Sequence, residues 1–343
     1  MHRSPSVRLV SPWLLLAAAT VHHAARAADP AGEPQTGDAQ TGNAQTGDAQ
    51  TGDAQIRGPA GDSEIVITTT ARLAGAIHSL TWNGREFIDS ADHGRQLQSA
   101  SNFEVAGTYS NETFNPTEAG SMHDGAGPTS TSRLLWQSAA GPDLVTVSRM
   151  AFWLRPGERS GGRPALNTTA LSDHLLQKEV RIGGGGHDHA IRYAVTFTLP
   201  AGERHDRGAF EALTAYMPPA FRTFHGLRDD GTLEPLTEGP GEQRLPVILS
   251  TDDGGHAMGA WSPDVSHTTG RPPGYGRFWF DVERVAKWNC VFREEVAGPA
   301  AAGVAGLPPG TYRYLVWVAV GTRSQVADTL AALRRAAAAA PRR

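Results

Sequence analysis

The chain of 343 residues holds a single cysteine, Cys290, so no intramolecular disulfide can form and stability must come from a large buried core. Charge of one sign is also scarce. Lys+Arg 31 against Asp+Glu 35 leaves a formal net charge of -4, which gives no electrostatic footprint for nucleic acid. No apolar run reaches the about 18 residues that a membrane span needs. A Walker loop, a dinucleotide fingerprint, a G-x-S-x-G elbow and an H-E-x-x-H helix are all missing. The run Gly183 to Gly186 leads into a strand, not a helix, so it is no phosphate cradle. His187-Asp188-His189 sits beside that glycine tip without an evident third ligand, so the expectation is no metal and no cofactor.

What is present begins with an address. Arg3 and Arg8 precede the short apolar run Leu9 to Ala19, and Ala25-Arg26-Ala27 is an A-x-A cleavage site. Residues 1–27 therefore read as a secretory signal, with a periplasmic or secreted mature chain beginning near Ala28. From Gln35 a polar five-residue unit, QTGDA or QTGNA, repeats to Gln55. Nothing in that unit can bury enough surface to offset the entropy of ordering, so residues 28–61 read as a disordered linker.

Residues 62–343 read as one all-β domain with one C-terminal helix. About fifteen segments have strand character. The clearest pair is Leu175 to Ile182 and Ala190 to Leu199, with Ile191, Tyr193, Val195, Phe197 and Leu199 alternating against polar or small residues. Ile77 to Trp82 and Arg85 to Ile88 flank Asn83-Gly84, the strongest short hairpin signal because both residues tolerate positive φ. Cys290, in VAKWNCVF, reads as a buried strand residue. Near the C-terminus Ser324 is the expected helix cap, with Val326, Leu330 and Leu333 as the buried stripe.

After the Asn-Gly hairpin the chain turns polar: Asp89, Asp92, His93, Gly94, Arg95 and Gln98 fall within ten residues. The pattern Gly75-x-Ile77-x-Ser79-Leu80-x-Trp82-x-Gly84-x-Glu86-Phe87-Ile88, followed by Asp92-x-Gly94-Arg95-x-Leu97-Gln98, resembles the galactose-mutarotase-like (aldose 1-epimerase-like) carbohydrate-binding superfamily. The resemblance is diffuse over residues 64–320. The Asn-His-Thr-Tyr-like strand of the epimerases has no counterpart here. It implies a large antiparallel β-supersandwich that takes a mono- or oligosaccharide on a concave sheet.

Candidate chemistry follows from residue type. Glu118 and His123 lie in the loop Asn115 to Gly125 and together supply an acid/base pair for a sugar ring. Glu211 and Tyr216 lie on one strand; simple alternation places Glu211 with Leu213 and Ala215, opposite Tyr216. Arg95 offers a guanidinium fork for a uronate carboxylate. His93, His225, Trp261, Lys287 and Trp288 complete the expected binding set, the indoles as stacking platforms. The reading is a secreted carbohydrate-active protein, an epimerase or a glycan-degrading lyase. The alternatives are a non-catalytic sugar-binding module and an envelope interaction protein.

Overall fold

The computed structural model describes residues 52–110, 112–295 and 307–340. The expected signal sequence and the repeats up to Thr51 lie outside the described residues. The strands in chain order are β1 Ala54–Ala60, β2 Ser63–Thr69, β3 Ile77–Trp82, β4 Arg85–Glu86, β5 Leu97–Phe103, β6 Pro116–Thr117, β7 Arg133–Ala140, β8 Asp143–Phe152, β9 Arg159–Ser160, β10 Arg163–Pro164 and β11 Leu171–Ile182. They continue as β12 Ala190–Leu199, β13 Arg207–Met217, β14 Thr223–Leu227, β15 Leu233–Leu236, β16 Gly241–Gln243, β17 Val247–Ser250, β18 Ala257–Trp261, β19 Gly274–Phe280, β20 Val285–Glu295 and β21 Gly310–Gly321. One helix, α1, spans Arg323–Ala339.

The pairings are antiparallel and trace two layers. One runs β16–β19–β20–β13–β5 and on through β3, β2 and β1. The other runs β15–β14–β17–β18–β21–β12–β11–β8–β7. The two-residue β6 bridges β5 and β8, so the ladder is continuous from one layer to the other. This is the large antiparallel sandwich that strand spacing implied. No helix among the described residues is long and apolar enough to cross a membrane.

Between the layers the inward side chains interlock. Phe210 of β13 stacks on Tyr312 of β21 at 4.9 Å, and Phe292 of β20 on Tyr314 at 4.1 Å. Aromatic pairs of this kind add about 0.5–1.5 kcal/mol each beyond the area they bury. Cys290 is fully buried in β20, as its apolar neighbours imply, and burial pushes its thiol well above the ordinary range. The helix covers the outer face of the second layer: Val326, Leu330 and Leu333 pack on Ile248, Ala257 and Ala319. Burying each of the three large side chains contributes about 1.5–3 kcal/mol, enough to hold a helix whose alanine-rich end makes few contacts.

Three expectations need correction. The linker does not reach residue 61, because Ala54–Ala60 pairs with Ser63–Thr69. Ile56 and Ala60 are buried, and Gly61-Asp62 closes a two-residue hairpin, with Gly61 at φ 61. The helix cap is Thr322, not Ser324. The Thr322 hydroxyl accepts from the Gln325 amide, and the Gln325 side chain accepts in return from the Thr322 N–H. The third concerns β13. A bulge between Glu211 and Leu213 breaks the alternation, so Glu211, Thr214 and Tyr216 share the outer face while Phe210, Leu213 and Ala215 face the core. The Asn-Gly hairpin is as expected, with Asn83 at φ 48 and Gly84 at φ 70.

Candidate functional site

The outer face of β5, β13, β20 and β19 forms the floor of a cavity of about 580 Å³. Period-two alternation builds it. On β20, Lys287, Asn289, Val291 and Arg293 point into the hollow, whereas Trp288 and Cys290 point into the core. Gln98 and Ala100 of β5 and Thr214 of β13 complete the floor. Two loops raise the walls, one from Ala91 to Arg95 and one from Ser121 to Ala126, with Trp153 beside them.

Those walls are held by local hydrogen bonds. His93 is buried, its Nδ1 is 2.7 Å from the Gly125 carbonyl and its Nε2 is 2.9 Å from the Arg72 carbonyl, so the ring ties two loops together. Asp124 accepts from the amides of Ser121 and Thr131 and from the Thr131 hydroxyl. Burial works against its charge, but these bonds hold the carboxyl below the ordinary aspartate range. Gly120, at φ 135, admits this arrangement, since a Cβ there would lie 2.5 Å from Asp124 Oδ2.

The chemical centre of the cavity is a buried cation and its partners. Lys287 Nζ lies 3.1 Å from Glu211 Oε1, and Asn289 Nδ2 donates to the same oxygen at 2.6 Å. The Asn289 carbonyl oxygen accepts from Gly276 N at 2.9 Å, which fixes the amide's orientation. Lys287 Nζ also sits 4.9 Å from the centre of the Tyr216 ring and 5.5 Å from that of Phe278. Burial works to lower the Lys287 ammonium, yet Glu211 and Tyr216 outweigh it and raise it above the ordinary lysine range. For Tyr216 burial dominates and raises the phenol, with Lys287 opposing. Phe280 stacks on Tyr216 at 6.3 Å and on Phe278 at 6.1 Å, giving one apolar wall.

Asp92, Glu112, Glu242 and Glu283 also bring carboxyl groups to the cavity lining, and Glu112 comes from the connection between β5 and β6. Glu112, at φ 67, accepts from the Ser160 hydroxyl. Burial is the main influence on it and raises its pKa; the Ser160 bond and the Lys287 charge oppose, and the Glu211 charge adds to the rise. Glu112 and Glu211 thus occupy one cavity in different electrostatic settings. The indole N–H of Trp153, also on the cavity wall, has no partner among the described residues.

The residues expected from sequence divide. Arg95, His93, Glu211, Tyr216 and Lys287 line the cavity. Arg95, however, spends its fork on its own loop, with Nη2 2.9 Å from Asp92 and Nη1 3.9 Å from Asp89. Burial works to lower the guanidinium, and Asp92 outweighs it. A substrate carboxylate would compete with these aspartates for the guanidinium.

His123 does not line the cavity. Its side chain is 57% exposed and faces Glu158 at 3.6 Å, because the short 3-10 turn Met122–Asp124 directs Met122 inward and His123 outward. Glu118 is fully buried away from the cavity, paired with Lys178 at 2.5 Å and accepting from Ser99 N at 3.0 Å. The expected Glu118–His123 pair is therefore not formed.

His225 lies on β14 in the other layer, where burial and the Arg323 charge lower its pKa. Trp261 lies on β18, also in the other layer, paired across from Trp317. Trp288 is fully buried between the layers, so neither indole can stack on a ligand in this cavity. Sequence reasoning missed Glu112, Asn289 and Trp153. Asn289 was legible: it is two residues from Lys287 on the same strand and must share its face.

No family model matches the chain, and no curated protein matches it. Solved structures do. A protein from Synechocystis sp. PCC 6803 aligns at 10% identity over 81% of this chain and 100% of that one, with a TM-score of 0.40. A galactose mutarotase related enzyme from Lactobacillus acidophilus aligns at 11% identity over 79% and 98%, with a TM-score of 0.39. A GH36 alpha-galactosidase from Geobacillus stearothermophilus aligns at 10% identity over 78% of this chain and 41% of its own, also at 0.39. None of these likenesses assigns a function to this chain.

Proposed function

We propose that the cavity binds an uncharged saccharide and carries out acid–base chemistry on its ring, with Glu112 as proton donor and Glu211 as proton acceptor. The observation that carries this reading is the pair of carboxyl groups held in one cavity with contrasting partners. Glu211 sits against a buried ammonium and an amide. Glu112 is burdened mainly by burial and so favours its proton. Ring opening needs one group to take the anomeric hydroxyl proton and another to protonate the ring oxygen as the C–O bond breaks. Closure reverses both transfers, so no net proton is consumed. The Tyr216–Phe280–Phe278 wall suits the C–H face of a sugar, and Gln98 and Asn289 suit its hydroxyls. The cavity's cations Arg95, Lys287 and Arg293 are each engaged by a carboxylate, which favours a neutral ligand over a uronate or phosphate.

Anomer interconversion, followed by NMR across a panel of neutral sugars, tests the reading. Glu112→Gln is expected to slow turnover by about 10²–10⁴-fold with little change in affinity. His123→Ala, in the same assay, is expected to leave the rate unchanged. The acid must be protonated to act, so wild-type activity falls as pH rises through the raised Glu112 pKa, and this alkaline limb is absent from the Gln variant. The stability sign agrees. A carboxyl whose native pKa exceeds its unfolded value costs stability as pH rises between the two. Turnover unaffected by Glu112→Gln would contradict the assignment.

A binding-only role is favoured by one observation: Glu211 Oε1 is already contacted by both Lys287 and Asn289. That role predicts saturable sugar binding without conversion and without a pH-dependent rate.

The proposal includes export. The basic residues, apolar run and A-x-A site at the N-terminus support it. N-terminal sequencing of the exported protein should begin near Ala28; a chain that still begins at Met1 would overturn this part.

A further inference from the structure

Away from the cavity, three side chains from two separate segments meet. His174 lies near the start of β11, where the pairing with β8 slips between Leu171 and Leu175. Glu203 and His205 lie in the connection between β12 and β13. Nε2 of His174 is 2.7 Å from Glu203 Oε2, and Nε2 of His205 is 3.1 Å from the same oxygen. One ligand atom from each of the three residues falls within 4.8 Å of the others.

We propose that His174, Glu203 and His205 form a binding site for a divalent transition-metal ion of the zinc class. Both imidazoles are almost fully buried, and their orientation is imposed from outside the cluster. Phe103 stacks on His205 at 4.6 Å and lies 5.2 Å from His174, so one ring fixes both planes. Phe114 closes the far side at 5.4 Å from His205 and 6.3 Å from His174. His205 Nδ1 is 2.7 Å from the Glu104 carbonyl, to which it donates. That is the outer bond by which proteins fix the tautomer of a metal-bound histidine. With Nδ1–H so committed, a neutral His205 turns its Nε2 lone pair toward a carboxylate oxygen. Two lone pairs would then face each other, and either a proton on Nε2 or a bound cation between them removes the conflict.

The dimensions agree. Zinc bonds of about 2.0–2.1 Å place tetrahedral ligand atoms about 3.3 Å apart. The histidine–glutamate separations of 2.7 and 3.1 Å need only a small outward shift of the partly exposed Glu203 carboxylate. Bringing the two imidazoles together, from a separation of at most 4.8 Å, takes a movement of less than about 1.5 Å by the buried rings. Glu203 alone of the three reaches solvent, its side chain 26% exposed, so the fourth position opens outward to water. A bound ion would pin the β12–β13 connection to β11, beside Phe103 at the end of cavity strand β5. Two histidines and one carboxylate suit zinc, cobalt or iron better than calcium or magnesium. The sequence shows no local motif for it, because His174 stands far from Glu203 and His205 along the chain.

The test is metal titration of the intact, chelator-stripped protein with cobalt(II), followed by zinc competition. One equivalent of cobalt with tetrahedral visible bands, displaced by zinc, and a raised melting temperature are expected. Glu203→Gln and His174→Asn should each weaken binding at least about tenfold, whereas the exposed His123→Ala should not change it. Histidine ring ¹⁵N spectra of the wild type provide a readout independent of the variants: zinc should shift the Nε2 signals of two residues together. Wild-type protein without bands or ring shifts would overturn the proposal and leave an imidazole–carboxylate contact alone. Undiminished binding in a folded Glu203→Gln variant would equally overturn it.

Discussion

Replacing Lys178 by methionine is expected to cost about 3–5 kcal/mol of folding stability, a large fraction of the roughly 5–15 kcal/mol by which native domains outlast their unfolded chains. Lys178 is fully buried on β11. Its Nζ donates to Glu118 at 2.5 Å and to the Gly75 carbonyl at 3.2 Å. Glu118 in turn accepts from Ser99 N on β5. One ammonium therefore ties β11 to the turn before β3 and to the loop after β6. Methionine matches the stem of lysine but leaves the Glu118 carboxylate buried without its cation. Replacing both partners, Lys178→Met with Glu118→Leu, should be less damaging than Lys178→Met alone, because no uncompensated charge remains. Recovery should be incomplete, since the Ser99 amide and the Gly75 carbonyl would each lose a bond worth about 1–3 kcal/mol when left unsatisfied. Urea denaturation at constant m-value reads this directly. A Lys178→Met midpoint close to that of wild type would show that the pair contributes little.

The second large effect concerns the cavity. Ala100 stands on β5 directly opposite Glu211 of β13 and next to Thr117 of β6. Its methyl group lies on the cavity floor, so phenylalanine there projects a ring over Glu211 and removes no polar atom. Binding of any ligand seated on Glu211 and Asn289 should fall by at least about a hundredfold, since steric exclusion forfeits more than the roughly 2.7 kcal/mol that two decades represent. Because the side chain extends into the open hollow, the fold should lose no more than the about 1–3 kcal/mol typical of overpacking. Loss of binding with the fold retained distinguishes a cavity ligand from one held elsewhere.

Much of the framework can be read from residue order, and the exceptions have physical causes. The Asn83-Gly84 turn and the Tyr193 to Leu199 alternation are local rules, and both segments fold accordingly. Lys287 and Trp288 look like neighbours in one cleft, yet successive residues on a strand face opposite ways, and Trp288 goes to the core. Glu211 and Tyr216 share a face only because the bulge adds a residue between them, and nothing in FEALTAYM marks that bulge. Glu118 and His123 stand five positions apart, but one is drawn inward by Lys178 and the other turned outward on a 3-10 turn. Such divergence depends on partners distant in sequence. The placement of Glu112 in the cavity, the Lys178 partnership and the His174–Glu203–His205 cluster all depend on contacts distant in sequence, which residue spacing does not encode.

Saturation-transfer NMR against a panel of neutral mono- and oligosaccharides examines the cavity reading most directly. Wild-type protein should transfer magnetisation to the ring protons of at least one of them, and Ala100→Phe should erase that signal while its melting transition persists. Silence from wild type across the panel, or a signal that survives in the folded variant, would contradict sugar binding on this sheet.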